Sequence, residues 1–126
     1  MEIPLKLKED KKYLEILRIL SNIKNPYEIT PYNKLRNREL EVFAIMNYFF
    51  VEKYDSIPER ERNTLIFSYD SRQEMLNILR DRGIDISKET VYNIMLDLRK
   101  KGLINSKSMV KKNIIPNVNK LNFKFI

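Results

Sequence analysis

The sequence predicts a single domain of the α+β class, mainly helical, with a small sheet. Three observations lead to this prediction. Apolar residues recur at helical spacing over most of the chain between residues 9 and 101. The two glycines, Gly83 and Gly102, each follow directly behind one of these helical patterns. Short stretches near the ends, residues 3–8 and 121–125, show the two-residue period of strands with one buried face.

The composition limits the chemistry that the chain can perform. With 126 residues, 43% of them hydrophobic and 33% charged, it has the size and make-up of one globular domain. Because it has no cysteine and no histidine, disulfides, thiolate metal sites and the commonest general base are excluded. No spacing of carboxylates, lysines and tyrosines singles out a catalytic pair. We therefore expect no enzymatic activity, no metal and no cofactor.

The sequence lacks the signals of a membrane or secreted protein. Its longest apolar run, residues 42–51, is far shorter than the roughly 20 residues that cross a bilayer. The N-terminus lacks the basic-then-apolar order of a signal peptide. We expect a cytoplasmic location. The heavy use of Ile, Asn and Lys is typical of AT-rich bacterial or viral genomes, so a phage protein of the host cytoplasm or the virion fits as well.

Residues 1–36 are predicted to form a strand, a helix and a connector that pack on the main unit. The strand, residues 3–8, is expected to pair with the alternating stretch 121–125. The helix is expected from about Glu9 to Lys24 and ends before Pro26. Its apolar stripe consists of Tyr13, Leu14, Leu17, Leu20 and Ile23. We expect this stripe to pack against its own domain, with dimerisation as the alternative.

The most hydrophobic helix is predicted from Asn37, a suitable N-cap, to about Tyr54. Its apolar residues make it the scaffold of the domain: Leu40, Val42, Phe43, Met46, Phe49 and Phe50. Aromatic residues at helical spacing are more often core residues than a base-stacking surface. A further short helix is expected to end near Phe67.

Two short helices joined by a turn are predicted between Ser71 and Gly102. Ser71 and Glu74 have the spacing of a capping box, and Gly83 can end the first helix. Ser87 can cap the second helix, whose last turn is basic. The apolar stripes are Met75, Leu76, Ile78 and Leu79 in the first helix and Val91, Ile94, Met95 and Leu98 in the second.

The stretch SKETVYNIMLDLRKKGLI, residues 87–104, begins with Ser-x-x-Thr-Val and ends with Leu-x-Lys-Lys-Gly-Leu-Ile. It resembles the recognition helix of winged helix-turn-helix proteins, in which both patterns are common. The stretch LRNRELEVFAIM, residues 35–46, is similar to the opening helix of LuxR-type helix-turn-helix domains, and this similarity ends where residues 55–69 are inserted. The resemblance implies a winged helix-turn-helix domain over residues 37–126, with residues 1–36 as an added strand and helix.

The resemblance further implies a recognition helix over about residues 88–101 that enters the major groove of double-stranded DNA. Its outer side carries groups that can contact bases and phosphates: Lys88, Glu89, Tyr92, Asn93, Arg99 and Lys100. Asn93 is the expected adenine reader, because an amide can both donate to and accept from that base edge. We expect a sequence-specific DNA-binding protein, a transcriptional regulator of bacterial or phage origin.

The positive charge lies in the C-terminal part of the chain. Residues 99–126 contain eight lysines or arginines and no acid, whereas the whole chain carries +7, so residues 1–98 carry about −1. Residues 103–125 are predicted to form a strand, a basic loop and a strand, the layout of a wing on the DNA backbone. Phosphate contacts are expected from the wing and its flanks: Lys101, Lys107, Lys111, Lys112 and Lys120.

Other functions are compatible with the same fold. A phage virion or packaging and assembly protein would use Tyr92 and Leu96 on the outer helix face to bind protein. A nonspecific architectural DNA-binding protein would depend only on the lysines of the tail. A homodimer is a further alternative, because two half-sites increase discrimination between DNA sequences.

Overall fold

The computed structural model describes residues 5–22, 31–105, 108–110 and 113–114, with residues 5–10 described by their backbone alone. This part of the protein is mainly helical. Its α-helices are α1 (Leu5–Asn22), α2 (Asn37–Tyr48), α3 (Glu59–Ile66), α4 (Tyr69–Asp81) and α5 (Lys88–Lys100). A 3₁₀ turn, Pro31–Lys34, precedes α2, and a π-helical turn, Phe49–Lys53, continues it. No described helix is long and apolar enough to cross a membrane.

Helix α2 forms the centre of the core. Every residue from Glu39 to Phe50 is buried, and helices α1, α4 and α5 all pack against α2. The prediction of a central scaffold helix is confirmed. The predicted N-cap, Asn37, is wrong by one residue, because Arg36 occupies the cap position. Glu39 is the third residue of the helix, and its carboxylate accepts a hydrogen bond from the Arg36 backbone amide at 2.8 Å. This contact caps the start of the helix.

Helix α1 packs along α2, and Tyr13, Leu14 and Leu17 are buried. The predicted packing of this helix on its own domain is therefore confirmed. The strand predicted at residues 3–8 is wrong from Leu5 onward, because these residues form the first turn of α1. Leucine and lysine favour helices, and so short an alternation does not outweigh the helical pattern that follows it. The proposed partner strand, residues 121–125, lies outside the described residues.

The start of α4 differs from the predicted capping box. The helix begins at Tyr69, and its N-cap is Ser68, whose hydroxyl accepts a hydrogen bond from the Ser71 amide at 3.3 Å. Ser71 is buried inside the first turn, where its hydroxyl donates to the Leu65 carbonyl at 2.5 Å. Glu74 forms an ion pair with Lys53. Through its hydrogen bond to Leu65, Ser71 links the end of α3 to the start of α4.

The predicted ends of α4 and α5 are confirmed. Gly83 and Gly102 have φ angles of +82° and +81°, the left-handed conformation that glycine adopts at low cost. Behind each glycine, a backbone amide bonds back into the last turn, from Ile84 to Leu79 at 2.8 Å and from Leu103 to Leu98 at 3.0 Å. Ser87 caps α5 by accepting from the Thr90 amide at 3.1 Å. The predicted apolar stripes of both helices are buried.

The small sheet of the predicted α+β class is not present in the described part of the chain. β-structure there is limited to one antiparallel bridge between Ile104 and Met109. The Asn105 amide donates to the Ser108 carbonyl at 2.8 Å, so residues 104–105 pair with residues 108–109, and these two pairs are called the hairpin below. The Met109 amide donates at 2.9 Å to Asn63 Oδ1 of α3 instead of to a further strand. The hairpin is therefore held by a helix rather than by a sheet.

Candidate nucleic-acid interface

The outward face of α5 follows from the burial of its inward stripe. Val91, Ile94, Met95 and Leu98 are buried, and successive residues of an α-helix are rotated by about 100°. Glu89, Asn93 and Lys100 therefore point directly away from the core, and all three are exposed. This outermost row offers a carboxylate, an amide and an ammonium group for contact with a partner.

One flank of α5 is turned towards the start of α4. Lys88 Nζ lies 4.1 Å from the centroid of the Tyr69 ring and also contacts its hydroxyl. Tyr92, one turn after Lys88, is 51% exposed, and Tyr69 is 59% exposed. A lysine and two exposed tyrosines therefore border α5 on this side.

A shallow groove of about 200 Å³ runs along the same flank. It is lined by residues of α5, of the α3–α4 junction and of the hairpin: Phe67, Arg72, Tyr92, Met95, Leu96, Arg99 and Ile104. The guanidinium of Arg72 donates to the Phe67 carbonyl at 3.3 Å. Arg99 is exposed and forms no ion pair with the described residues. The groove thus combines apolar side chains with two guanidinium groups.

The cations on this surface slightly outnumber the acids. Arg72, Lys88, Arg99 and Lys100 are cationic. Among the acids, Asp97 is exposed towards the end of α5, and Glu89 and Asp70 lie in the first turns of α5 and α4. Carboxylates in these positions interact favourably with the helix dipoles. Glu89 and Asp70 therefore have a structural reason to be present, whereas Asp97 places one negative charge beside the cations Arg99 and Lys100 at the C-terminal end of α5.

Lys101 was predicted to contact a phosphate, but in the structure it contacts the start of α2. Its ammonium group lies 2.5 Å from Glu39 Oε1 and 2.9 Å from the Lys34 carbonyl oxygen. The Glu39 side chain is 4% exposed. Because Lys101 follows Lys100 by about 100° of helix rotation, it faces the start of α2 while Lys100 faces outward. We therefore remove Lys101 from the candidate interface.

The segment after the hairpin returns to the core. Asn113 is buried; its side-chain amide donates to the Gly102 carbonyl at 3.1 Å, and its own carbonyl accepts from the Tyr32 hydroxyl at 2.9 Å. Burial raises the pKa of the Tyr32 phenol above its ordinary value. The predicted wing is therefore interrupted, because Met109 and Asn113 are both held by the domain.

The predicted wing lysines are not assessed by the structure. Lys107, Lys111, Lys112 and Lys120 lie outside the described residues. The recognition-helix candidates lie on one outward surface of α5: Lys88, Glu89, Tyr92, Asn93, Arg99 and Lys100. Their contact with DNA stays a prediction.

Two residues of this surface were missed by the sequence analysis. Tyr69 was not considered because the predicted helix began at Ser71, which left Tyr69 in a connector. The available signal was Ser68, which precedes Ser71 by the three positions typical of an N-cap and its amide partner. Arg72 lay inside the predicted helix, and only the groove shows that it borders α5.

Neither a metal centre nor a known relative supplies a function. The described residues contain no group of three or more acidic side chains placed to hold a metal ion. Comparison of the chain with protein-family models, with curated proteins and with solved structures found no match. The function is therefore inferred from the geometry and charge of the α5 surface.

Proposed function

We propose that this protein binds double-stranded DNA in a sequence-specific manner and acts as a transcriptional regulator, of bacterial or phage origin. Helices α4 and α5 would form a helix-turn-helix unit, with α5 as the recognition helix. The hairpin 104–109 would be a short wing beside it. The winged helix-turn-helix assignment is part of this proposal and is supported by the order of these elements.

The exposed row of α5 is the observation that carries the proposal. Asn93 lies at the middle of a capped 13-residue helix, between an exposed Glu89 and an exposed Lys100. A major groove about 12 Å wide admits a helix of this diameter. An amide that projects from the centre of the row can pair with adenine, while the flanking cations contact phosphates.

The charge distribution supports the same partner. The row of cations begins at the end of α5, and the chain beyond it contains further lysines and no acid. Phosphates neutralised by such groups release counterions, so binding would weaken steeply as salt is added. No catalytic step is part of the proposal.

Protein assembly is the second candidate function. Tyr69 and Tyr92 are exposed by 59% and 51%, and tyrosine is enriched where proteins contact one another. A virion or packaging protein could use this surface to bind a protein partner, and a nonspecific architectural protein would bind DNA without reading it. These alternatives make different predictions about DNA selection.

The test is a fluorescence-anisotropy titration at two salt concentrations, against a random duplex and a pool enriched by selection. We expect salt-sensitive binding and convergence of the pool on one motif. Salt-sensitive binding without convergence would indicate an architectural role. Absence of binding at low salt would refute the proposal and favour assembly.

Arg99→Ala and Lys11→Ala form a matched pair of variants for this titration. Both residues are exposed cations, but Arg99 lies on the proposed interface and Lys11 lies on α1. Arg99→Ala should reduce the salt slope by about one, whereas Lys11→Ala should leave it unchanged. Equal effects of both changes would mean that only net charge matters.

A further inference from the structure

We propose that the groove between α5 and the α3–α4 junction receives the 5-methyl group of a thymine, and that Leu96 is the specificity-determining residue for it. This inference rests on the proposed DNA-binding function. It adds a readout that the polar groups of α5 cannot provide.

The groove has an apolar floor. Met95 is 5% exposed and Ile104 is 3% exposed, while Leu96 lies half-buried between them and the outward row of α5. A phosphate gains nothing from contact with such a floor. The thymine methyl is the apolar group that base edges present in the major groove, so it matches the chemistry of the floor.

Two arginines lie beside the groove. Arg72 borders it from α4 and Arg99 borders it from α5. A base edge that enters the groove is attached to a backbone with phosphates on both sides, and each guanidinium can contact a phosphate by a bidentate hydrogen bond. A duplex therefore satisfies the floor and the cations together.

The groove has a volume of about 200 Å³. A cavity of about 150 Å³ in another protein holds one benzene molecule, so this groove has room for the edge of a single base. An acidic peptide with one large apolar side chain has related chemistry, and the experiment below separates it from DNA.

Leu96 lies beside Asn93 on the surface of α5. Residues three apart on a helix are neighbours on its surface. If Asn93 reads an adenine, Leu96 beside it would contact the methyl group of a nearby thymine. Helix α5 would then read A·T pairs through an amide and an apolar contact together.

The test replaces each thymine of the selected motif, one at a time, by deoxyuridine. This change removes the methyl group and leaves the base pairing, the sugar and the phosphates in place. For the unaltered protein, we expect binding to weaken about fourfold at one or two thymines, the effect of one buried methyl group. For Leu96→Ala, the thymine and uracil duplexes should bind equally at those positions.

Ile19→Ala is the control variant, since it removes a 51% exposed aliphatic side chain from α1. It should keep the full thymine preference. Circular dichroism checks the fold of each variant. If Leu96→Ala does not fold, Leu96→Asn serves in its place, because a polar amide there replaces the branched aliphatic end of the leucine.

Three results would overturn the inference. If every uracil duplex bound the unaltered protein as tightly as its thymine counterpart, the groove would not receive a methyl group, although the DNA-binding function would stand. A thymine preference that persisted in the Leu96 variants would assign the readout to another residue. Failure to bind any duplex would refute the proposed function and this inference together, and the acidic peptide would become the occupant to test.

Discussion

Lys101 Nζ lies 2.5 Å from Glu39 Oε1, whereas the side chain of the adjacent Lys100 is exposed. Two neighbouring cations at the end of one helix thus have different partners. Lys101 neutralises a carboxylate on the central helix, and Lys100 faces the proposed DNA surface. Variants of the two lysines can therefore distinguish an effect on the stability of the fold from an effect on DNA binding.

Lys101→Ala should destabilise the fold by about 1–3 kcal/mol, because it leaves the buried Glu39 carboxylate without its cation. Lys100→Ala should leave stability within about 0.5 kcal/mol, since Lys100 is exposed. In DNA titrations the order reverses: Lys100→Ala should lower the salt slope by about one, and folded Lys101→Ala should not. Urea denaturation and anisotropy measure the two effects. Equal losses of DNA affinity would return Lys101 to the interface.

Glu41 of α2 provides a second comparison, because it contacts two arginines of different exposure. Arg82, at the end of α4, pairs with Glu41 where both side chains are largely buried, at 12% and 9% exposure. Arg18 of α1 lies 3.5 Å from the same carboxylate but is 51% exposed. Removal of Arg82 leaves the largely buried carboxylate with the exposed Arg18, whose ion pair contributes little, whereas removal of Arg18 leaves the buried pair in place.

We therefore expect Arg82→Ala to lower the free energy of unfolding by about 2–4 kcal/mol and Arg18→Ala by less than about 1 kcal/mol. Thermal and urea denaturation of both variants measure the difference. Similar losses for the two arginines would mean that the buried position of Arg82 does not strengthen its pair.

Tyr32 should make stability depend on alkaline pH. Burial raises the pKa of its phenol above the ordinary value of 10.0. The folded state therefore retains the phenol proton at pH values where the unfolded state has lost it. The resulting stabilisation is fully present below the unfolded pKa and is lost as the pH rises through the folded pKa.

Tyr32→Phe tests this dependence and removes the hydrogen bond to Asn113. At neutral pH, the variant should be less stable by about 0.5–1.5 kcal/mol. This difference should shrink as the pH rises above the ordinary phenol pKa of 10.0, because the original protein loses the contribution of the phenol. Urea denaturation of both proteins at several pH values measures the difference. A constant difference would mean that Tyr32 ionises alike in the folded and unfolded states.

Asn93→Ala should relax sequence preference without changing the electrostatic part of DNA binding. Discrimination against a substituted adenine should fall by about 1–3 kcal/mol, and the salt slope should stay nearly constant. Competition titrations with single-base variants of the selected motif measure this loss. If affinity fell equally for all duplexes, Asn93 would not be a base reader.

The double change of Lys111 and Lys112 to alanine tests the C-terminal lysines. Under either DNA-binding function the salt slope should decrease by about two, because two phosphate contacts are lost. The sequence preference should be unchanged, since phosphates carry no sequence information. A change in preference without a change in slope would contradict the assignment of these lysines to the backbone.

Local features of the fold could be predicted from the sequence because they depend on neighbours along the chain. The apolar stripes of α4 and α5 follow from helical periodicity, and Ser87, Gly83 and Gly102 act on the backbone within one turn. The outward row of α5 followed from the same periodicity. The predicted start of a helix was wrong where two signals compete. Ser68 and Ser71 are both possible N-caps of α4, and the leucines at the start of α1 fit a strand as well as a helix.

Only the tertiary structure decided which partners the outward groups meet. Helix rotation alone turns Lys100 and Lys101 to different sides, but the contact of Lys101 with Glu39 depends on how α5 lies against α2. The groove beside Leu96 likewise needs α3, α4 and the hairpin in place. Periodicity determines which side of a helix is buried, whereas the packing of distant elements determines what the remaining sides can contact.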